Sequence, residues 1–395
     1  MDCRIRARIP HRWRRTGTLV AGACIVATSV AFAPVVAHAQ GDSTLHWGAY
    51  DEYGGLSDEV DTPPVIGGLS DIVAIQSGNA SGMALDASGH VWTWGLGLNG
   101  VLGQGVPGNE LTNAVEVRGL PPITAIGEAD DTDVAVSASG NVYGWGWNEA
   151  GQLCRGGTEM HVRPVELPLH DVIAVAGGGT HMLYLLADGT IEACGANLYG
   201  ELGNGTLAGS ATPVAVTGLP SGQVQGISAG PATSAALIDG VVWNWGKNDY
   251  GQLGDGTTQN SDVPVAAQLP SAVAQVYEGG DDRANGQSLA LLANGQVYGW
   301  GNNGNGQLGT GSTATVVDTP VEVQVPSGVD ITSVASGGAH SLALDSTGNV
   351  WAWGDDNAGQ LGNGASTGDV LTPTIVMTGA DMISATADTS VAHQG

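Results

Sequence analysis

One pattern occurs seven times along this chain: an apolar strand ending in Trp-Gly or a close variant, followed by a glycine-bounded Gln-Leu-Gly loop. The strand-ending glycines are Gly48, Gly95, Gly146, Gly195, Gly246, Gly301 and Gly354, and their six intervals average 51 residues. A unit of that size is too small to bury a core alone, so neighbouring units must stack into a propeller or a solenoid.

Residues 331–364, ITSVASGGAHSLALDSTGNVWAWGDDNAGQLGNG, select between these. Ile331, Val334 and Ala335 form a short apolar run closed by Gly-Gly. Leu342 and Leu344 alternate with small residues, Thr347-Gly348 turns the chain, and Val350, Trp351 and Trp353 form a third strand. A Pro-Val-x-Val strand follows the loop at residues 213–216 and 320–323, with a variant at 264–267. Four short strands per unit, joined by hairpin turns and without an amphipathic helix, describe a propeller blade.

The phrases HSLAL, GNVWAWG and DNAGQLGNG (340–364), with KNDYGQLGDG (247–256) and NNGNGQLGTG (302–311), resemble repeats of the regulator-of-chromosome-condensation family. The resemblance implies an all-β, seven-bladed β-propeller of four-stranded blades. The chain begins and ends in mid-unit: residues 45–48 and 63–66 match third and fourth strands, while 383–385 and 391–393 match first and second strands. A mixed blade, with two strands from each terminus, is therefore expected to close the ring and remove exposed edges.

Residues 1–39 read as a separate segment and 40–395 as the propeller. Arg4, Arg6, Arg8, Arg12, Arg14 and Arg15 precede an apolar stretch, 19–36, that leads to Ala37-His38-Ala39. This is the pattern of a secretory signal cleaved before Gln40, with an uncleaved anchor as the alternative. The expectation is a secreted, cell-surface or periplasmic protein with no membrane span once the signal is removed. Cleavage takes six of the eleven basic residues and one of the 38 acidic ones, leaving a net charge of −32. Such a surface repels nucleic-acid phosphates, so no nucleic-acid partner is expected. It suits solubility, or a basic protein partner steered by the field.

Trp92, Trp94, Trp145, Trp243, Trp245, Trp300, Trp351 and Trp353 fall regularly in third strands and read as packing residues whose indole N–H groups need partners. Trp147, just beyond Gly146, is the one partial candidate for a carbohydrate platform. Cys154 replaces the last glycine of one Gly-Gln-Leu-Gly loop, and Cys194 replaces the Trp before Gly195 in the next unit. A bridge between adjacent repeats and two buried thiols are both open, because spacing does not fix the distance.

The seven histidines outside the leader show no metal-ligand spacing, no Gly-x-Ser-x-Gly elbow occurs, and Gly95 to Gly100 match a dinucleotide fingerprint only as one copy of the repeat loop. No catalytic residue, metal or cofactor is assigned. One repeat position holds Ser81, Thr132, His181, Thr233, Gln287, His340 and Thr389, all polar, which reads as a structural bond to local backbone.

The pattern breaks in the hairpins between first and second strands. One carries Glu128, Asp130, Asp131 and Asp133; another, lengthened, carries Glu278, Asp281, Asp282 and Arg283. Equivalent hairpins lie on one face of a propeller, so these groups are expected to rim one surface and bind a protein partner. Solvation and a hard cation such as calcium are the competing readings. The leading expectation is an exported, monomeric, non-catalytic interaction platform. The alternatives are an extracellular inhibitor of a secreted enzyme, a polysaccharide-active enzyme at the central channel, and a nucleotide exchange factor like the family's nuclear member. The last lacks any matched exchange element here.

Overall fold

The computed structural model describes residues 26–27, 43–48, 64–280, 286–364 and 368–395. Its strands form seven antiparallel sheets. Blade 1 runs Ile72–Ser77, Ser81–Asp86, Val91–Gly97 and Asn109–Glu116. Blade 2 runs Ile123–Ala129, Thr132–Ser137, Val142–Gly146 and His161–Glu166, and blade 3 runs Val172–Gly177, His181–Leu186, Ile191–Gly195 and Ser210–Ala215. Blade 4 is Val224–Ala229, Thr233–Ile238, Val241–Gly246 and Ser261–Ala266. Blade 5 is Val273–Gly280, Gly286–Leu292, Val297–Asn302 and Val316–Glu322, and blade 6 is Ile331–Ser336, His340–Asp345, Val350–Gly354 and Val370–Met377.

Blade 7 takes Met382–Thr386 and Thr389–Gln394 from the C-terminal end and Ser43–Gly48 and Val65–Ile66 from the N-terminal end. Ser43 to Gly48 pair with Gln394 to Thr389 in an unbroken antiparallel register. The first strand of each blade packs on that of the next, and Met382–Thr386 packs on Ile72–Ser77, so the ring is closed as the half-units require. Val26–Ala27 lies parallel to blade 4 at Gly226–Ile227. No helix among the described residues is long and apolar enough to cross a membrane.

The repeat residues explain the geometry. The register between first and second strands slips at the same place in blades 1 to 6, for example between Ile72 and Ala74 and between Val224 and Gly226, and each such bulge adds local twist. The strand-ending glycines sit at positive φ against the hairpin of the same blade. A Cβ on Gly246 (φ +103) would stand 2.4 Å from the Ala232 carbonyl oxygen, closer than any side-chain atom is tolerated.

The blades are joined by tryptophan. Trp145, Trp245, Trp300, Trp353 and Trp47 are at most 2% exposed, and each donates its indole N–H to a loop carbonyl of the preceding blade: Val101, Glu201, Gln252, Gln307 and Gln360, at 2.6–3.0 Å. Trp94 makes the same crossing to His46 Nδ1 of blade 7, at 3.0 Å. Trp92 and Trp351 instead donate to Asp86 and Asp345 at the base of their own blades. At the one remaining junction, blade 2 to blade 3, the indole is replaced by a disulfide between Cys154 and Cys194, whose Cα atoms are 5.6 Å apart. Cys194 Sγ faces the Gln152 carbonyl, the acceptor an indole would have used.

Candidate functional site

The candidate face is built from the ends of the first strands. The polar position of the repeat does not bond mainly to local backbone, as the sequence suggests; in most blades it reaches into the next one. His181 Nε2 lies 2.8 Å from Ser234 Oγ, and Ser234 donates to the Glu201 carbonyl at 2.8 Å. His340 repeats this with Ser390 and the Gln360 carbonyl. Gln287 Nε2 donates to the Gly337 carbonyl and to Ser336 Oγ, while Thr389 Oγ1 donates to the Gly78 carbonyl. Thr132 stays within its blade, on the Trp147 carbonyl, and Thr389 adds a bond to the Thr386 carbonyl of its own blade. Because each serine hydroxyl is spent on a carbonyl, the histidines act as Nε2–H donors. Burial lowers the pKa of His181 to about 4 and that of His340 to about 3, so both rings are neutral struts.

This wiring corrects the expected acidic rim. Where the strut is short, Ser81 in blade 1 and Thr233 in blade 4, the next blade supplies a glutamate to fill the space. Glu128 Oε1 accepts from Ser81 Oγ at 2.7 Å. Glu278, 2% exposed, accepts from Ser288 Oγ at 2.8 Å, and its backbone N–H donates to Ser228 Oγ of blade 4. Where the strut is long, as at His181 and His340, the next blade has Ala229 and Ala385 at that place. Asp133, cross-strand partner of Glu128, is 1% exposed. Glu128, Asp133 and Glu278 therefore turn inward between blades instead of rimming the surface, since alternation along the strand directs them there.

Burial raises the pKa of Glu128 to about 8, with the Asp131 charge adding to it and the Ser81 bond opposing it. Burial likewise raises Glu278 to about 8, and raises Asp133 well above the usual carboxylate range with help from Glu128. Asp130 and Asp131, at the hairpin tip, are partly exposed, and Asp131 accepts from Asn99 Nδ2 of blade 1 at 2.8 Å. Asp281, Asp282 and Arg283 lie outside the described residues.

The described ends of the first strands surround a pocket on the ring axis, which receives lining residues from all seven blades. Its cavity volume is about 50 Å³. Glu128, Asp130, Glu278 and Tyr277 line it, along with Gln76 and glycines of blades 3 to 5. Sequence reasoning missed Tyr277. Its phenol donates to the Ala385 carbonyl of blade 7 at 3.4 Å, two blades away, and burial raises its pKa. Its bulk was the available signal, because the equivalent positions hold Gln76, Gly127, Ala176, Ser228, Ala335 and Ser384. Among the described residues no group of three or more His, Cys, Asp or Glu is placed to hold a metal ion. Trp147 is partly buried and its backbone N–H is tied to the Asp131 carbonyl.

Comparison with known proteins places this ring among relatives. The profile described as Regulator of chromosome condensation (RCC1) repeat matches residues 139–185, 188–237, 239–281, 294–344 and 347–390, together more than half of the chain. A second profile of the same description matches 331–360. The chain is 31% identical over 346 residues to the Ultraviolet-B receptor UVR8 of Arabidopsis thaliana, covering 84% of this chain and 77% of that protein. It is 30% identical over 304 residues to the E3 ubiquitin-protein ligase HERC2 of Homo sapiens, covering 74% of this chain but only 6% of the ligase. Among solved structures, yeast RCC1 (Prp20) bound to Kap60 superposes with a TM-score of 0.79 at 21% identity, covering 98% of this chain and 96% of that one. Human WBSCR16 superposes at 0.77 and 20% identity, covering 90% and 99%. At those identities the superpositions speak for the fold alone, whereas the repeat matches and the UVR8 likeness speak for descent: the chain belongs to the regulator of chromosome condensation (RCC1) repeat family.

Proposed function

We propose that this protein is an exported, non-catalytic interaction platform that binds a basic protein partner on the face carrying the first-to-second-strand hairpins. The observation that carries the reading is the hairpin of blade 2. There Asp130 and Asp131 stand at the surface beside the axial pocket, while the carboxylates next to them in sequence are consumed as struts between blades. Residues that depart from the repeat on one face of a rigid ring are where such a scaffold differs from its neighbours, and so where its specificity resides. The yeast structure with Kap60 is a related ring in a complex with another protein, which supports the class of function without specifying the partner. The basic, apolar and small-residue order of residues 1–39 supports export, and a formal net charge of −27 favours a basic partner.

The test is retention. Purified protein, immobilised, is exposed at low and high salt to cell-surface and secreted fractions of the producing cell, and retained proteins are identified by mass spectrometry. One basic protein retained at low salt, and lost with Asp130→Asn/Asp131→Asn, is the expected result. Equal retention by the wild type and that variant would overturn the assignment of the face.

A further inference from the structure

We propose that the partner is anchored on an apolar crescent formed by the third-to-fourth-strand loops of blades 1 to 3, and that it presents there a protein segment with an apolar centre and a basic border. This rests on the protein-binding reading above and deepens it, by naming the part of the face that makes the contact and the chemistry it takes.

These loops open on the same face as the first-to-second-strand hairpins. The backbone N–H just beyond each strand-ending glycine donates to the hairpin of its own blade: Leu96 to the Ala80 carbonyl, Trp147 to Asp131 and Ala196 to Thr180, at 2.8–2.9 Å. Val106, Met160, Leu198 and Leu207 lie on the loops and are 59%, 43%, 75% and 60% exposed. A single exposed leucine is ordinary, whereas large apolar side chains grouped on adjacent loops mark a contact surface. Trp147 and Tyr199, half-buried on the same loops, add aromatic area. Each loop is also bonded to the fourth strand of the next blade, Gly105 N–H to the Val162 carbonyl and Gly156 N–H to Ala211, so the crescent is continuous. Blades 4 and 5 do not extend it: the places of Leu198 and Leu207 hold Asp249 and Thr258, then Gly304 and Thr313. Val316, which opens the fourth strand of blade 5, is exposed but separated from the crescent by blade 4.

The fold holds these side chains in place. Asn148 and Asn197 are buried and donate from Nδ2 across their loops, Asn148 to the Gly157 and Glu159 carbonyls and Asn197 to those of Thr206 and Ala208, at 2.8–3.1 Å. Met160 directly follows one clamped carbonyl, and Leu207 sits between two. Lys247 of blade 4, itself buried, places its ammonium 5.2 Å from the centre of the Tyr199 ring, a cation–π contact that orients the phenol. A surface fixed before contact loses little freedom on binding, so more of its apolar area converts to affinity. Charge defines the border. Asp131 marks the inner edge, where its carbonyl holds Trp147, and Glu149 and Glu159 are exposed beside Trp147 and Met160. Two arginines stand toward the outer strand of blade 2: Arg155 is tied to the Glu166 carbonyl and the Arg163 guanidinium lies against Gly105. Lysines or arginines around an apolar centre complement the carboxylates, whereas an acidic border would meet like charge.

Three labelled synthetic peptides of equal length are the probes: an amphipathic leucine–lysine peptide, a serine–lysine peptide of the same charge, and a leucine–glutamate peptide of the same apolar content. Each is titrated into the purified protein and followed by fluorescence anisotropy. The leucine–lysine peptide should bind saturably, and the other two more weakly by at least about tenfold. Leu198→Ser/Leu207→Ser should weaken the leucine–lysine peptide by at least about tenfold, the least expected when two leucine side chains are lost from a contact. Val316→Ser, on the same face in blade 5, should leave it unchanged, and thermal melts check that both variants keep the ring. No binding of the leucine–lysine peptide, equal binding of either other peptide, or equal effects of the two variants would overturn the inference. If partner retention is lost with Asp130→Asn/Asp131→Asn but unchanged by Leu198→Ser/Leu207→Ser, the crescent fails and the binding face stands. If the crescent binds its peptide but no partner is retained through that face, the platform reading fails instead.

Discussion

The junction between blades 2 and 3 allows a quantitative test of what holds the ring together. Five other junctions use an indole N–H donated to the preceding loop, and the last glycine of that loop packs on the indole. A Cβ built on Gly103, Gly203, Gly254, Gly309 or Gly362 would stand 2.6–3.0 Å from the indole nitrogen, and all five glycines have φ between +60 and +66. Cys154 occupies the same slot at φ +57. Glycine-with-tryptophan has thus been exchanged for cysteine-with-cysteine as a matched pair. A bridge spanning 40 residues stabilises by about 4 kcal/mol through loop-closure entropy. For a ring of this size unfolding as one unit, that corresponds to a Tm change of about 5 °C. Cys154→Ser/Cys194→Ser should lose this amount, and reduction of the wild type should do the same. Cys154→Gly/Cys194→Trp should recover most of it. It gains a buried indole worth about 2–3 kcal/mol and a hydrogen bond worth about 1 kcal/mol, and it relieves the left-handed strain at residue 154. Cys194→Trp alone should be the least stable, because the indole would meet the Cys154 side chain where only glycine fits. Calorimetric melts of the four proteins, with free-thiol counts, decide the matter. A glycine–tryptophan variant no more stable than the double serine would refute the equivalence of the two junctions.

Two further outcomes follow from the same structure. The pH profile of stability should be highest between about pH 4.5 and 6.5. Glu128 and Glu278 have folded pKa values raised above their unfolded ones, so their contribution is full below about 4.5 and is lost as pH rises through about 8, and Asp133, also raised by burial, acts in the same direction. His46, His181 and His340 are lowered to between about 3 and 4, so their contribution is full above 6.5 and is lost as pH falls toward 4. Melting temperatures across pH 4 to 9 check this, and Glu278→Gln should flatten the decline between 6.5 and 8. Deleting residues 389–395 should unfold the whole ring, because Thr389–Gln394 is an interior strand of the closing blade; a near-native circular-dichroism melt would contradict this.

The architecture was legible because each blade repeats the same local signals, and because the two half-units at the chain ends add up to one blade. The Cys154 and Cys194 substitutions were visible as departures from fixed repeat positions, though only the structure brings the two residues to 5.6 Å. The site was less legible for a physical reason. Glu128 and Glu278 turn toward the neighbouring blade where the residues one unit earlier are the short Ser81 and Thr233. The repeat position that holds His181 and His340 spans the same gap with a longer side chain and needs no carboxylate. Such compensation links residues about fifty apart and leaves no trace in either segment alone. Tyr277 was hidden likewise, since its size matters only where Ala335 and Ser384 leave room across the axis.

The measurement closest to the central claim is hydrogen exchange on the ring with and without its retained partner. Protection is expected on the hairpins at 78–80, 130–131, 178–180 and 230–232 and on the strand ends around the axial pocket. The second-to-third-strand turns at 87–90, 138–141 and 187–190, on the opposite face, should exchange as in the free protein. Protection of those turns with the pocket face unchanged would contradict the account and move the binding surface to the other side of the propeller.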